Sequence, residues 1–222
     1  MSAVHKTPTG IYRIEALEYP WLDHGFGTRV SNFWPPSSKL VMAKQVHSDR
    51  ILRTGESAGY IGEGDALVSN TAGIYVGVRT ADCQPILMVD PEVRAVAAIH
   101  AGWRGTAACI AAKAVDRLRR DFGAEPARLV VAIGPGIGVC CYEVGPEVAI
   151  QFKELFPERG GELEHKTHLD LKEAHRRQIA AAGVPDCNIH IVPLCTFCSD
   201  EFHSYRRDKD KGRMISAIGI LE

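Results

Sequence analysis

Short apolar runs rich in valine and isoleucine constrain this chain more than any other feature. Runs at 41–46, 74–78, 86–89, 94–99, 129–133, 189–193 and 213–220 have the length and β-branched content of strands. A helical period is clearest over 105–122. There Ala108, Ile110, Ala111, Ala114, Val115 and Leu118 form one stripe, while Lys113, Asp116, Arg117, Arg119 and Arg120 face outward. Two further helices are expected at 146–155, where Pro146 suits a first helical position, and at 171–182, which Gly183 would end. Strands outnumber helices and do not alternate strictly with them. The expectation is therefore α+β layers around a mixed sheet rather than a regular parallel repeat. With 222 residues, no internal repeat and no long linker, one domain spanning 1–222 is expected. The Trp-Pro-Pro-Ser-Ser stretch at 34–38 reads as a surface turn.

Charge narrows the range of partners. The net charge is −1 and neither end carries an acidic or basic tail. That balance argues against a nucleic-acid or membrane partner. The first twenty residues lack the apolar stretch of a signal peptide, and no run approaches membrane-spanning length, so a cytoplasmic location is expected. Seven cysteines is an odd number, and in a reducing compartment they suit metal or thiol chemistry better than a disulfide framework. The glycines at 134, 136 and 138 follow a strand, where a backbone loop can approach a ligand. They do not make a dinucleotide fingerprint, and no phosphate-binding Gly-x-x-x-x-Gly-Lys run exists.

Metal-capable side chains sit at the ends of three of these strands. His47 closes Lys44-Gln45-Val46-His47, Cys83 lies in Thr80-Ala81-Asp82-Cys83-Gln84-Pro85, and His100 opens His100-Ala101-Gly102-Trp103-Arg104-Gly105. Strand ends in layered folds converge on one side, so the three can share a pocket. Two imidazoles and one thiolate suit zinc and leave a fourth position open, as in a catalytic site; copper is the alternative occupant. Residue types alone do not decide this, because a single His or Cys after a strand is more often structural, and the spacing is long. A metal-free thiolate–imidazole pair of Cys83 and His100 is a second reading, which Asp82 would oppose and Arg79 would favour.

Cys195 and Cys198 could be half of a structural zinc site with Cys140 and Cys141, although adjacent cysteines rarely ligate one tetrahedral ion. The nucleobase-deaminase signature is absent, since no His-x-Glu occurs and Pro193-Leu194-Cys195 has an extra residue. Arg206 and Arg207 are consecutive, so in extended structure they would point opposite ways. Either one, or Arg29 on its glycine-flanked loop, could hold phosphate through a guanidinium fork.

These segments occur in order with Gly64-Asp65-Ala66-Leu67-Val68, the stretch Gly134-Pro135-Gly136-Ile137-Gly138-Val139-Cys140-Cys141-Tyr142-Glu143-Val144-Gly145, and Ser204-Tyr205-Arg206-Arg207-Asp208. Together they resemble the YfiH/laccase-domain family, once called multicopper polyphenol oxidases and now regarded as purine nucleoside phosphorylases. The resemblance runs from about residue 25 to the C-terminus. It implies a compact layered α/β/β/α architecture with mixed sheet, and it implies that His47, Cys83 and His100 ligate zinc and carry the chemistry. It also implies phosphorolysis of adenosine, inosine and methylthioadenosine, with adenosine deaminase activity, so that purine nucleoside and phosphate are the partners. Arg29, Gln45, Arg79 and Arg206 are then the candidates for holding substrate.

A multicopper oxidase fits poorly, because only nine histidines are scattered here and His5, His165, His168, His175 and His190 show no ligand pattern. The chain departs from the family between the Gly-Phe-Gly-Thr-Arg loop and Gln45. Members usually carry a Ser-Leu-Asn-Leu stretch there, whereas residues 30–41 alone bridge the gap here, with Asn32 their only asparagine. Lys209 also stands where glycine is common. The competing readings are a Cys83/His100 amidase acting on cell-wall precursors, and a non-enzymatic metal-storing or redox-sensing protein.

Overall fold

The computed structural model describes residues 3–31, 34–55 and 57–222. Among these residues, two mixed sheets pack face to face. The first has seven strands in the order Val4–Lys6, Tyr12–Ile14, Leu22–Phe26, Met214–Ile220, Tyr75–Thr80, Leu40–Lys44 and Gly59–Glu63. The second has six, in the order Ile189–Ile191, Val130–Ile133, Gln84–Asp90, Ala95–Ala101, Ala66–Ser69 and Ile51–Arg53. Leu40–Lys44 runs parallel to both of its neighbours. The outermost pairs of the second sheet are also parallel, and its inner pairs are antiparallel. The fold is α+β with mixed sheets, as the apolar runs lead one to expect, and each of the seven expected strands forms.

Alternation of side chains along each strand builds two cores. Between the sheets, Phe26, Val76, Val78 and Ile218 of the first meet Leu67, Leu87, Val89 and Val96 of the second. On the other face of the second sheet, Ile86, Met88, Ala97 and Ile99 pack under the helix Ile110–Phe122 and Ile179 of the helix Leu171–Ala181. Gln84–Asp90 and Ala95–Ala101 are buried at every position. That two-sided burial is why they read as continuous apolar runs rather than alternating ones. The outer face of the first sheet carries a smaller cluster of Leu40, Tyr75 and Ala217 with Trp34, Met42 and Ile215 against it.

The helices depart from the sequence expectation in detail. The stretch 105–122 is two helices, Trp103–Ala107 and Ile110–Phe122, broken where Cys109 turns left-handed at φ 58°. Gly123, at φ 71°, ends the second by returning its N–H to the Arg119 carbonyl. The expected helix at 146–155 is a short α-turn, Pro146–Ala149, running into a 3-10 turn at Ile150–Phe152. Leu171–Ala181 starts on Asp170, whose side chain accepts the Glu173 N–H at 3.0 Å. Among the described residues, no helix is long and apolar enough to cross a membrane.

Candidate metal centre

Register places two of the three metal-capable residues side by side. In the central hairpin His100 lies opposite Pro85 and Ala101 opposite Gln84, so Cys83, one residue before its strand, comes beside His100. His47 arrives from beyond the end of Leu40–Lys44 in a left-handed turn at φ 58°. That turn is held by one buried carboxylate. Asp65 accepts the backbone N–H groups of Val46 at 3.2 Å, His47 at 3.0 Å and Ser48 at 2.6 Å, and the Ser48 hydroxyl at 2.7 Å. The same carboxylate meets His100 Nδ1 at 2.8 Å. Burial pushes the Asp65 carboxyl up, but the bonds from His100 and Ser48 outweigh it and bring the group down to about 2.

The donor set fits a tetrahedral ion. The ligand-capable atoms of His47, Cys83 and His100 all lie within 4.8 Å of one another, and His47 Nε2 is 4.0 Å from Cys83 Sγ. Zinc bonds of about 2.0–2.3 Å would place such atoms roughly 3.5 Å apart, a small contraction. With Nδ1 engaged by Asp65, His100 has Nε2 left to offer a metal, in the carboxylate–histidine pairing that orients metal ligands. Burial raises the Cys83 thiol, yet hydrogen bonds from His100 and His47 outweigh it and bring it below the ordinary thiol value, which favours the thiolate. Burial lowers the His100 imidazole, and its bonds to Asp65 and Cys83 more than reverse this, to about 9. Gly102 keeps the space open: a Cβ there would lie 3.0 Å from Cys83 Sγ and 3.1 Å from His47 Cδ2.

The trio opens on a cavity of about 800 Å³. Tyr60, Tyr142 and Tyr205 line it, as do the cations Lys44, Arg79, Arg206, Lys211 and Arg213. Gln45 lines it as well, but its amide is paired in both directions with the Arg79 backbone at 2.8 Å. Asp82, left-handed at φ 89°, accepts the Thr196 hydroxyl at 2.8 Å and the Arg206 N–H at 2.7 Å. Its carboxylate thus ties the Cys83 turn to the segment around Arg206, rather than simply opposing the thiolate as its place in the sequence suggested.

The arginines separate by conformation. Tyr205–Asp208 is a one-turn helix capped by Ser204, so extended backbone is not what separates Arg206 from Arg207. Arg206 faces the cavity, donates to the Glu143 carbonyl at 3.0 Å and stands over the Tyr142 ring. Arg207 turns away to the carbonyls of Thr196, Phe197, Ser199 and Phe202. Arg29 does not line the cavity: it bonds the Phe202 carbonyl and pairs with Asp208. Asn32 lies outside the described residues. Sequence reasoning missed Asp65, Tyr142, Lys211 and Arg213; for Asp65 the only signal was its place in the Gly64-Asp65 segment just before a strand.

Comparison with known proteins agrees with this architecture. A family model described as multi-copper polyphenol oxidoreductase laccase matches residues 29–221. A purine nucleoside phosphorylase of Deinococcus radiodurans is 42% identical over 178 residues, which are 79% of this chain and 68% of that protein. Adenosine deaminase RL5, from an unknown prokaryotic organism, is 39% identical over 200 residues, covering 81% of this chain and 74% of that protein. The crystal structure of YlmD from Geobacillus stearothermophilus superposes with a TM-score of 0.90 at 28% identity, over 100% of both chains. This chain belongs to the laccase-like YfiH family.

Proposed function

We propose that the protein is a zinc-dependent purine nucleoside phosphorylase that also deaminates adenosine, with adenosine, inosine and methylthioadenosine as substrates. One observation carries this: the His47–Cys83–His100 trio opens on a cavity walled by tyrosine rings and a concentration of cations. The whole chain has a net charge of −1, so the positive potential on this wall is local. An anionic co-substrate such as phosphate suits that wall, and a purine suits the tyrosine faces. The names of the related phosphorylases and of the related deaminase support the same reading.

When bound, zinc supplies Lewis acidity at the trio. The chain's own residues do the rest. Asp65 fixes the ring and tautomer of His100. Arg79 and Arg206 hold phosphate so that one of its oxygens bonds to the ribose C1′ as the bond from C1′ to the base nitrogen breaks. The tyrosine rings that line the cavity offer apolar surface for the departing base, and Arg206 over the Tyr142 ring ties the phosphate-holding cation to that wall. The test is chromatographic analysis of metal-replete wild type and Cys83→Ala, each given adenosine and inosine with and without phosphate. Free base and ribose phosphate are expected from wild type alone, and only when phosphate is present. No product from wild type overturns the reading.

A Cys83 hydrolase is the second reading. It is favoured by the lowered thiol and by the His47 ring 4.0 Å from it. Activity that survives chelation would select it.

A further inference from the structure

Away from the cavity floor, the fold collects a second set of sulfurs that the proposed chemistry does not use. Cys140 and Cys141 come from the loop after Val130–Ile133, and Cys195 and Cys198 from the segment after Ile189–Ile191. We propose that these four cysteines form a structural tetrathiolate zinc site that staples one wall of the cavity to the sheet. The four sulfurs all lie within 4.8 Å of one another. Cys198 Sγ is 3.7 Å from Cys140 Sγ and 3.3 Å from Cys141 Sγ. Zinc with four bonds of about 2.3 Å needs sulfurs about 3.8 Å apart, so the cluster has nearly the right size without an ion.

The objection to adjacent ligands is met by the local backbone. The N–H groups of Cys141 and Tyr142 both return to the Gly138 carbonyl at 3.0 Å, and this tight turn presents both sulfurs to Cys198. Gly138 permits the close approach, since a Cβ there would lie 3.3 Å from both Cys140 Sγ and Cys195 Cβ. The facing segment is built for thiolate. Gly138 N–H donates to Cys195 Sγ at 3.2 Å, and the backbone amides of Cys198 and Phe197 also serve that sulfur. Such N–H bonds spread thiolate charge, as the conserved chemistry of sulfur-ligated metal sites requires. Four thiolates around a dication leave a net charge of about −2. Lys172 stands beside it, its ammonium fixed by the carbonyls of Val192 at 2.8 Å and Leu194 at 2.7 Å.

The staple's position gives it a purpose. The loop carries Ile137 and Tyr142, and the segment leads to Tyr205 and Arg206, all of which line the cavity. The direct backbone links between the two are few, among them Thr196 N–H to the Gly136 carbonyl at 3.1 Å. Four thiolates leave no open position for substrate, so the site is structural, in contrast to the trio.

The test is the metal content of protein purified under reducing conditions with zinc present. About two zinc ions per chain are expected for wild type, and about one each for Cys83→Ala and for the Cys195→Ser/Cys198→Ser double variant. The double variant removes the Gly138 N–H bond to Cys195 Sγ as well as two donors, so Cys83→Ala, which keeps all four clustered cysteines, is also loaded with cobalt. Intense thiolate-to-cobalt charge transfer with tetrahedral d–d bands is expected from the remaining site. Cys83→Ala that binds no metal and shows no charge-transfer band overturns the proposal. So does peptide mapping that finds Cys141 and Cys198 joined as a disulfide in the reduced preparation.

Discussion

The His47–Cys83–His100 trio and the four-cysteine cluster both assemble sulfur and nitrogen donors from separate segments, but they are held in different ways. The trio is gripped by backbone. Hairpin register sets Cys83 beside His100, and a carboxylate with a wholly buried side chain collects three successive amides and an imidazole. The cysteine cluster rests on two loops, with Cys140 and Cys198 exposed and few hydrogen bonds across the gap. A centre whose scaffold is already fixed needs few ligands from the protein and can leave a coordination position free. A centre on loops depends on its ligands for its shape.

Removing Asp65 is the most severe way to break this contrast. Asp65→Ala leaves three backbone amides and His100 without their acceptor, and a buried partner of this kind typically accounts for about 3–5 kcal/mol. Denaturant unfolding should register that loss. Metal analysis should show the trio emptied while the cysteine site keeps its zinc. A smaller effect is expected from Gly102→Ala. Gly102 has an ordinary φ of −77°, so the backbone tolerates the methyl, but its Cβ presses on Cys83 and His47. Metal affinity at the trio should fall about tenfold with little change in unfolding midpoint. If Gly102→Ala binds metal like wild type, the scaffold is more pliant than its hydrogen bonds suggest.

The cationic wall tests the cavity side. Arg79→Ala and Arg206→Ala should each raise KM for phosphate about tenfold and leave metal content unchanged, the loss expected for one charge-assisted bond. A fall in kcat alone would argue against phosphate at this wall.

The mildest test is acid. His175 is buried, and burial brings it down to about 3. Burial, helped by Arg13, brings His24 down to about 4. Each takes up a proton more readily in the unfolded chain, so its stabilising contribution is complete above about pH 6.5 and is lost as pH falls toward the folded value. The cost for each is under about 1 kcal/mol from pH 7 to pH 6, and about 1.4 kcal/mol per unit below that. His175 meets the Thr106 hydroxyl, which donates to the Gly102 carbonyl beside the trio. Replacing it by Gln should flatten the acid limb of a stability profile; an unchanged slope would remove His175 from the account.

Much of this fold is legible because burial on two faces leaves an unmistakable composition. The runs at 86–89 and 94–99 are the hairpin on which Cys83 and His100 stand. Strands such as Leu22–Phe26, which reads Leu-Asp-His-Gly-Phe, and the wholly exposed Gly59–Glu63 are hidden because partners in the sheet, not their own pattern, make them strands. The same holds for the site. His47, Cys83 and His100 become candidates only when residue type, strand-end placement and the family resemblance are taken together, whereas Asp65 looks like any acid before a strand until three amides are found on it. Arg29 resembles a free anion binder until Asp208 is seen to engage it. For the cysteines, adjacency argues against shared ligation only if the chain is extended, and the turn at Gly138 removes that premise.

The hairpin that carries Cys83 and His100 also sets an order of assembly. These two residues are joined by a short connection and find each other through local antiparallel pairing. His47 lies 36 residues from Cys83, beyond Leu40–Lys44, which pairs in parallel with Tyr75–Thr80 across a long stretch of chain. Local contacts close quickly and long-range parallel pairings slowly. A growing or refolding chain therefore presents a two-donor half-site first. The complete trio forms only once His47 joins that pair, so a metal held by all three residues would be captured late and would report on a finished fold.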